Sequence, residues 1–275
     1  MRELRIAAVG DIHFDGKDTD TLRRLFSGVE RDADILVLCG DLTTRGDPEH
    51  VEILLDELHF LRLPMVAVLG NHDFEMDQQN EIRKLMEDAG VHLLDGTGVE
   101  LQGVGFAGVK GFGGGFGRRT LGPFGERIYK DFVQTAIDEA LKLETALRSL
   151  HTETRVVVLH YSPVAETLRG EPVEIFPFLG TSRLLTPIET YGASVVFHGH
   201  AHAGTSEAVT PAGIPVYNVA RPVLERENNT PYRIWTVKAP ERRSPGFDDG
   251  RQAAAADSSM IHATRSSTGD VSRQK

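Results

Sequence analysis

Short apolar runs, each closed by glycine, constrain this chain more than any other feature. Residues 4–9, 35–39 and 65–69 are aliphatic at nearly every position and lead directly into turns at Gly10, Gly40 and Gly70. Continuous rather than alternating hydrophobicity over five or six residues asks for a strand that is covered on both faces. Between these runs, residues 19–30 and 48–61 carry apolar side chains at helical spacing. Pro48 suits a first helical turn, with Asp47 before it as the cap. Helical spacing returns at 77–89 and at 129–150, where Phe132, Ile137, Ala140, Leu141, Ala146 and Leu147 form the expected core-facing stripe. Further strands are predicted at 156–159, 195–197, 214–219 and 232–237. Strands alternating with helices in this way predict a layered α/β domain over residues 1–240.

The composition changes after Pro240. Residues 241–275 are rich in Ser, Ala, Arg, Asp and Gly and poor in large apolar side chains. They can bury too little surface to offset the entropy of ordering, so a disordered C-terminal tail is expected there. Charge narrows the function: 30 Lys+Arg against 40 Asp+Glu leave a net charge of -10. That balance disfavours an extended nucleic-acid footprint held by a broad basic face. It leaves room for a local phosphate site in which bound cations supply the positive charge. The one cysteine, Cys39, excludes an internal disulfide and any cysteine-based zinc cluster. No apolar run approaches the length of a membrane span, and the apolar stretch near the N-terminus leads into a candidate metal ligand that signal cleavage would remove. A cytoplasmic protein is the expectation.

Polar residues of one chemical type cluster just past these strands. The first strand gives Gly10-Asp11-Ile12-His13, the second Gly40-Asp41, and the third Gly70-Asn71-His72-Asp73. Later come Leu159-His160-Tyr161 and His198-Gly199-His200-Ala201-His202. In open α/β sheets, sites assemble at the carboxyl ends of strands. Extended backbone also sends residues i and i+2 to one side, so Asp11 can converge with His13, and His200 with His202. A single Asp or His in such a place is ordinarily a cap or a surface residue, but independent capping does not explain five strand ends with the same donor chemistry. Carboxylate, imidazole and amide oxygen together suit Mn, Fe or Zn better than Ca or Mg. The donors are too many for one tetrahedral centre with an open position. Two cations sharing a carboxylate, about 3.5–4 Å apart, fit the number and suit an in-line displacement at phosphorus.

The ordered set D-x-H, G-D, G-N-H-D, H and G-H-x-H resembles the calcineurin-like metallophosphoesterase superfamily. All five blocks are present in family order from Asp11 to His202. The resemblance implies a four-layer α/β/β/α sandwich with two mixed sheets. It also implies two divalent metal ions, manganese first and iron or zinc next. One metal would be held by Asp11, His13, Asp41 and His202, and the other by Asp41, Asn71, His160 and His200, with Asp41 as the bridge. It gives His72 the part of general acid to the leaving oxygen. Residue chemistry agrees with that division, since His72 beside Asn71 would point elsewhere and stay free to move a proton. A metal-bridging hydroxide would then attack phosphorus in line, with charge neutralisation and positioning supplying most of the acceleration.

The substrate is expected to be a small phosphoester, a monoester or a diester, with nucleotide-type molecules among the candidates. Asn71, Arg45, Arg118 and Arg119 are candidate substrate contacts. Arg45 stands in Gly40-Asp41-Leu42-Thr43-Thr44-Arg45-Gly46. The protein Ser/Thr phosphatase branch has G-D-x-V-D-R-G there, and the missing Val-Asp pair weakens a protein-phosphatase alternative. The glycine-rich stretch 103–117 lacks the ending of a phosphate-binding P-loop. It reads as a turn-rich β segment or as a flexible wall on which Phe112 or Phe116 could stack a leaving group. His198 is expected to pack or support. His50, His59, His92 and His151 are expected at the surface, and Asn218 and Arg221 follow a late strand that could face the site. The other alternative is a catalytically silent binding scaffold, which eroded ligands would mark; none is eroded.

Overall fold

Several strands are buried on both faces, yet their side chains divide strictly between two environments. Val156 and Val158 belong to one core cluster, whereas Val157 and Leu159 belong to another. Phe106 parts in the same way from Ala107 and Val109, and Val195 and Phe197 from Val196. This is the period of two that places alternate residues on opposite faces of a sheet. A computed structural model describes residues 2–239 of the chain. The tail expected at 241–275 lies outside the described residues.

There are two mixed sheets. Strands β1 (Arg2–Val9), β2 (Ile35–Cys39), β3 (Met65–Val68) and β4 (His92–Leu93) run parallel, and β11 (Arg233–Ala239) adds antiparallel beside β1, for an order β11-β1-β2-β3-β4. The second sheet has the order β5-β6-β7-β8-β10-β9, built from β5 (Thr97–Leu101), β6 (Val104–Val109), β7 (Arg155–Leu159), β8 (Val195–His198), β9 (Glu207–Val209) and β10 (Pro215–Asn218). Its two edge strands, β5 and β9, pair antiparallel and the rest are parallel.

Helices α1 (Thr19–Phe26), α2 (Val29–Asp32), α3 (Pro48–Leu58) and α4 (Gln79–Asp88) lie along the first half of the chain. Leu22, Phe26, Val51, Leu54, Leu58, Ile82 and Met86 from α1, α3 and α4 share one core with the first sheet and the inner face of the second. Helix α5 (Arg127–Arg148), with α6 (Phe176–Leu179), α7 (Leu185–Tyr191) and α8 (Arg221–Asn228), completes the set. Leu143, Ala146 and Leu147 of α5 and Ile188 of α7 cover the outer face of the second sheet. The result is the expected α/β/β/α sandwich. No helix among the described residues is long and apolar enough to cross a membrane.

Several boundaries differ from the sequence reading for identifiable reasons. The helix expected at 19–30 is two, because the chain breaks at Gly28, whose missing side chain leaves room for the Tyr232 hydroxyl and the Arg31 and Asp32 side chains. Asp47 does cap α3, accepting from the Glu49 amide at 3.0 Å. In α5 the buried stripe is Val133, Ala136, Glu139, Leu143, Ala146 and Leu147, so Leu141 faces solvent and a carboxylate sits among the apolar residues. The glycine-rich stretch 103–117 is half strand: β6 is buried throughout, and the loop begins only at Lys110.

Candidate functional site

Each candidate ligand stands within a few residues of a parallel strand's carboxyl end, where the two sheets are joined. Gly10 after β1 bonds Val219 after β10 (2.9 Å), and Gly199 after β8 donates to the His160 carbonyl after β7 (3.1 Å). His160 crosses between sheets, its Nδ1 donating to the Cys39 carbonyl of β2 at 2.9 Å. That bond fixes the ring so that Nε2 faces Asn71 and Asp41.

The backbone is unusual at four of these positions. Asp11, His13, Asp41 and His200 have φ of 57°, 49°, 48° and 70°. A left-handed backbone costs a non-glycine residue of order 1 kcal/mol or more and persists where its surroundings over-determine it, as they do at functional sites. Here Asp11 N–H bonds Gly40 O (2.9 Å) and His13 N–H bonds Asp41 O (3.0 Å), holding the turns against that cost. Two glycines make the approach possible. A Cβ on Gly70 would occupy the place of the Asp41 carboxylate, and one on Gly199 that of the Asp11 carboxylate.

Asp11, His13 and His202 offer donor atoms within 4.8 Å of one another, and so do Asp41, His160 and His200. His13 Nε2 stands 3.7 Å from Asp41 Oδ2, and His160 Nε2 stands 3.4 Å from Asp41 Oδ1, so one carboxylate faces both groups with separate oxygens. Asn71 Oδ1 lies 2.9 Å from His160 Nε2, which puts it with the second group. All seven expected metal ligands are therefore brought together. A third group joins His13 and Asp41 to His72. The His72 amide donates to Asp41 Oδ1 (2.9 Å), and its Nδ1 lies 2.9 Å from the Thr44 carbonyl and 3.0 Å from a Glu75 carboxylate oxygen. Among the described residues its Nε2 has no such bond, and the side chain is about one-third exposed.

Protons are shared across this cluster. Burial works to raise the Asp41 carboxyl, but the neighbouring His160 holds it well below the usual carboxylate range. Burial likewise works against charge on His160, and Asp41 outweighs it, lifting the imidazole to about 9. Burial, then His160, pushes His200 down to about 3, leaving a neutral ring suited to ligation. The hydrogen bond to Asp11 Oδ1 (2.8 Å) raises His202. A cation competes with these protons for the same lone pairs.

The remaining residues sort clearly. His198 is fully buried, donating Nδ1–H to Gly199 O and meeting the Thr167 hydroxyl at Nε2, and burial pushes it down to about 4. It supports the 199–202 loop, as expected. Asn218 does the same through its amide bond to Ala201 O at 2.8 Å. Arg221 faces outward in α8, paired with Glu225. His59, His92 and His151 are exposed, and His50 is partly buried against Phe14. Arg45, Arg118 and Arg119 are exposed, and none bonds a residue of the cluster among the described residues. Phe112 lines the space beside Asn71, whereas Phe116 packs under Leu168, Leu179 and Ala201.

Two further residues, Asp73 and Tyr161, stand inside the motifs without a role that the motif pattern assigns them. Asp73 is fully buried and accepts from the amides of Leu42, Thr43 and Gly70 and from the Thr43 hydroxyl, at 2.9–3.2 Å. It ties the loop after β2 to the loop after β3; its place in G-N-H-D was the available signal. Tyr161, adjacent to His160, packs against His200 with ring centroids 4.3 Å apart and the planes tilted by 44°.

The sequence profile of the calcineurin-like phosphoesterases matches residues 4–204. The chain belongs to this family. No curated protein matches its sequence. Among solved structures, the chain resembles the phosphopantetheinyl hydrolase of Mycobacterium tuberculosis, at 14% identity over 88% of this chain and 98% of the other, with a TM-score of 0.63. A Plasmodium protein described as the anchor in the inner membrane complex matches at 14% identity, over 81% and 73% of the two chains, with a TM-score of 0.51. The TT1561 protein of Thermus thermophilus matches at 16% identity, over 79% and 89%, with a TM-score of 0.50. At these identities the likeness is one of fold.

Proposed function

We propose that this protein is a hydrolase of small phosphomonoesters or phosphodiesters that works with two divalent cations. One observation carries the reading: two donor groups meet at Asp41, which faces His13 with one oxygen and His160 with the other. Asp11, His13, Asp41 and His202 would hold one cation, and Asp41, Asn71, His160 and His200 the other. The mixed carboxylate, imidazole and amide donors fit Mn, Fe or Zn. When bound, such a pair neutralises the phosphoester's charge and makes a water molecule acidic enough to attack at neutral pH.

The chain's own residues supply orientation and a proton. The strained turns and the bond from His160 to Cys39 O set the donors before any cation arrives, which removes reorganisation from the reaction. His72, held at Nδ1 by the Thr44 carbonyl, presents Nε2–H as the acid that protonates the leaving oxygen. One protein of this fold is named as a hydrolase and one as an anchor, so the fold alone does not choose between enzyme and scaffold. An intact donor set favours the enzyme.

The test uses metal-stripped protein reloaded with Mn, Fe, Zn or Mg and a panel of aryl monoesters, aryl diesters, cyclic nucleotides, dinucleotides and phosphopeptides. Metal-dependent hydrolysis of at least one small phosphoester is expected. Inactivity toward all of them with every metal overturns the reading in favour of a scaffold, and preference for phosphopeptides revives the protein-phosphatase alternative.

A further inference from the structure

A cavity of about 530 Å³ opens directly off the candidate site, with Asn71 and Tyr161 in its wall. Three cationic side chains, Arg83, Lys110 and Lys142, line it, against two carboxylates, Asp95 and Glu139. The carboxylates are already engaged. Asp95 pairs with Arg83 (2.9 Å) and Lys142 (3.0 Å). Glu139 accepts from Lys142 (2.9 Å) and from the Gly111 amide (2.8 Å). The surplus cation is Lys110, whose ammonium has no carboxylate partner within 4.0 Å among the described residues.

Lys110 is held in place by means that leave its charge unspent. Its Nζ donates to the Gly111 carbonyl at 3.0 Å and stands 5.0–5.3 Å from the ring centres of Phe74, Phe112 and Tyr161. Ring faces hold a cation in position without neutralising it, and two of the three ammonium donors stay available. Glu139 anchors the turn that carries Lys110 through the Gly111 amide, and Tyr161 links that turn to His200. In a chain of net charge -10, a lone, half-buried ammonium beside a phosphoester site is a selective feature.

Resting on the phosphoesterase reading, we propose that Lys110, with Phe74, Phe112 and Tyr161, forms a subsite for a second anionic group of the substrate. The preferred substrate is then a phosphoester bearing a further phosphate or carboxylate on the part that leaves or stays beside the scissile phosphorus. Burial lowers the Lys110 ammonium, and an anion entering the cavity would restore it.

The experiment compares matched phosphomonoesters in the metal-loaded protein: ethyl phosphate with phosphoglycolate, phenyl phosphate with carboxyphenyl phosphate, and a nucleoside 5′-monophosphate with the 3′,5′-bisphosphate. The doubly anionic member of at least one pair should show the higher kcat/KM. Its advantage should fall about ten- to a hundredfold in Lys110→Met, mostly through KM, and be largely kept in Lys110→Arg. The carboxylate and phosphate pairs show which group the subsite takes. An advantage that survives Lys110→Met, or no advantage in any pair, overturns the proposal. Should Lys110→Met fail to fold, Lys110→Gln serves in its place. If no phosphoester is hydrolysed, calorimetric titration of the same compounds separates the two claims. Binding that favours the doubly anionic member and weakens in Lys110→Met supports the subsite while the hydrolase reading falls; binding that ignores Lys110 overturns both.

Discussion

Asp73 and Asp41 are neighbouring buried carboxylates with opposite tasks. Asp73 accepts four hydrogen bonds from two loops. Burial, with Asp41 adding to it, raises its carboxyl to about 6 despite those bonds. Replacing it by Ala strands three amides and a hydroxyl, and is expected to destabilise the fold by about 2–4 kcal/mol in chemical denaturation. Asp41→Asn instead removes the charge shared by both donor groups. It should lower bound manganese from two equivalents to one or none and reduce turnover at least about a hundredfold, as metal analysis and initial rates will show. Were full metal content and rate kept, the bridging role would be wrong. His72→Ala should keep its metal yet slow turnover by roughly 10²–10⁴, most for poor leaving groups. Equal slowing across leaving groups would remove the acid role.

Elements were legible where burial was complete. β2, β3 and β8 are buried at every residue, β1 from Ile6 onward and β7 from Val156 onward, so each left an apolar run, and the candidate ligands beyond them stood out against that background. β5 and β9 were not legible because they are edge strands with mostly exposed residues that gain their form from pairing with β6 and β10. α6 and α7 are too short to repeat a helical period, and α7 buries only Pro187 and Ile188. The donor cluster could be read because each ligand sits in a local motif. The Lys110 cavity could not, since α4, α5, β4 and the loops after β3, β4, β6 and β7 supply its wall from separate parts of the chain. The sandwich itself is testable at Gly108 of β6. A Cβ there meets Val158 O at 2.8 Å, Val68 Cγ1 at 2.9 Å and Leu94 Cδ1 at 3.0 Å, atoms of both sheets. Gly108→Val should cost about 1–3 kcal/mol and lower the melting temperature accordingly.

For the whole molecule, the division of donors matters most. Asp11, Asp41 and Asn71 follow strands of the first sheet, while His160, His200 and His202 follow strands of the second. A single cation at a hundred times its dissociation constant should add about 2.7 kcal/mol to stability, and a second one a like amount. Each corresponds to a rise of about 5–10 °C in melting temperature on adding manganese to stripped protein, measurable by calorimetry. An unchanged transition would mean that nothing binds there.

The left-handed turns at Asp11, His13, Asp41 and His200 give that coupling a direction. They are strained with the protein's own donors alone, so the polypeptide carries the expense of arranging them at the moment it folds. On the proposed reading, a cation would meet a finished receptacle and change how firmly the two sheets hold together, rather than how they are shaped.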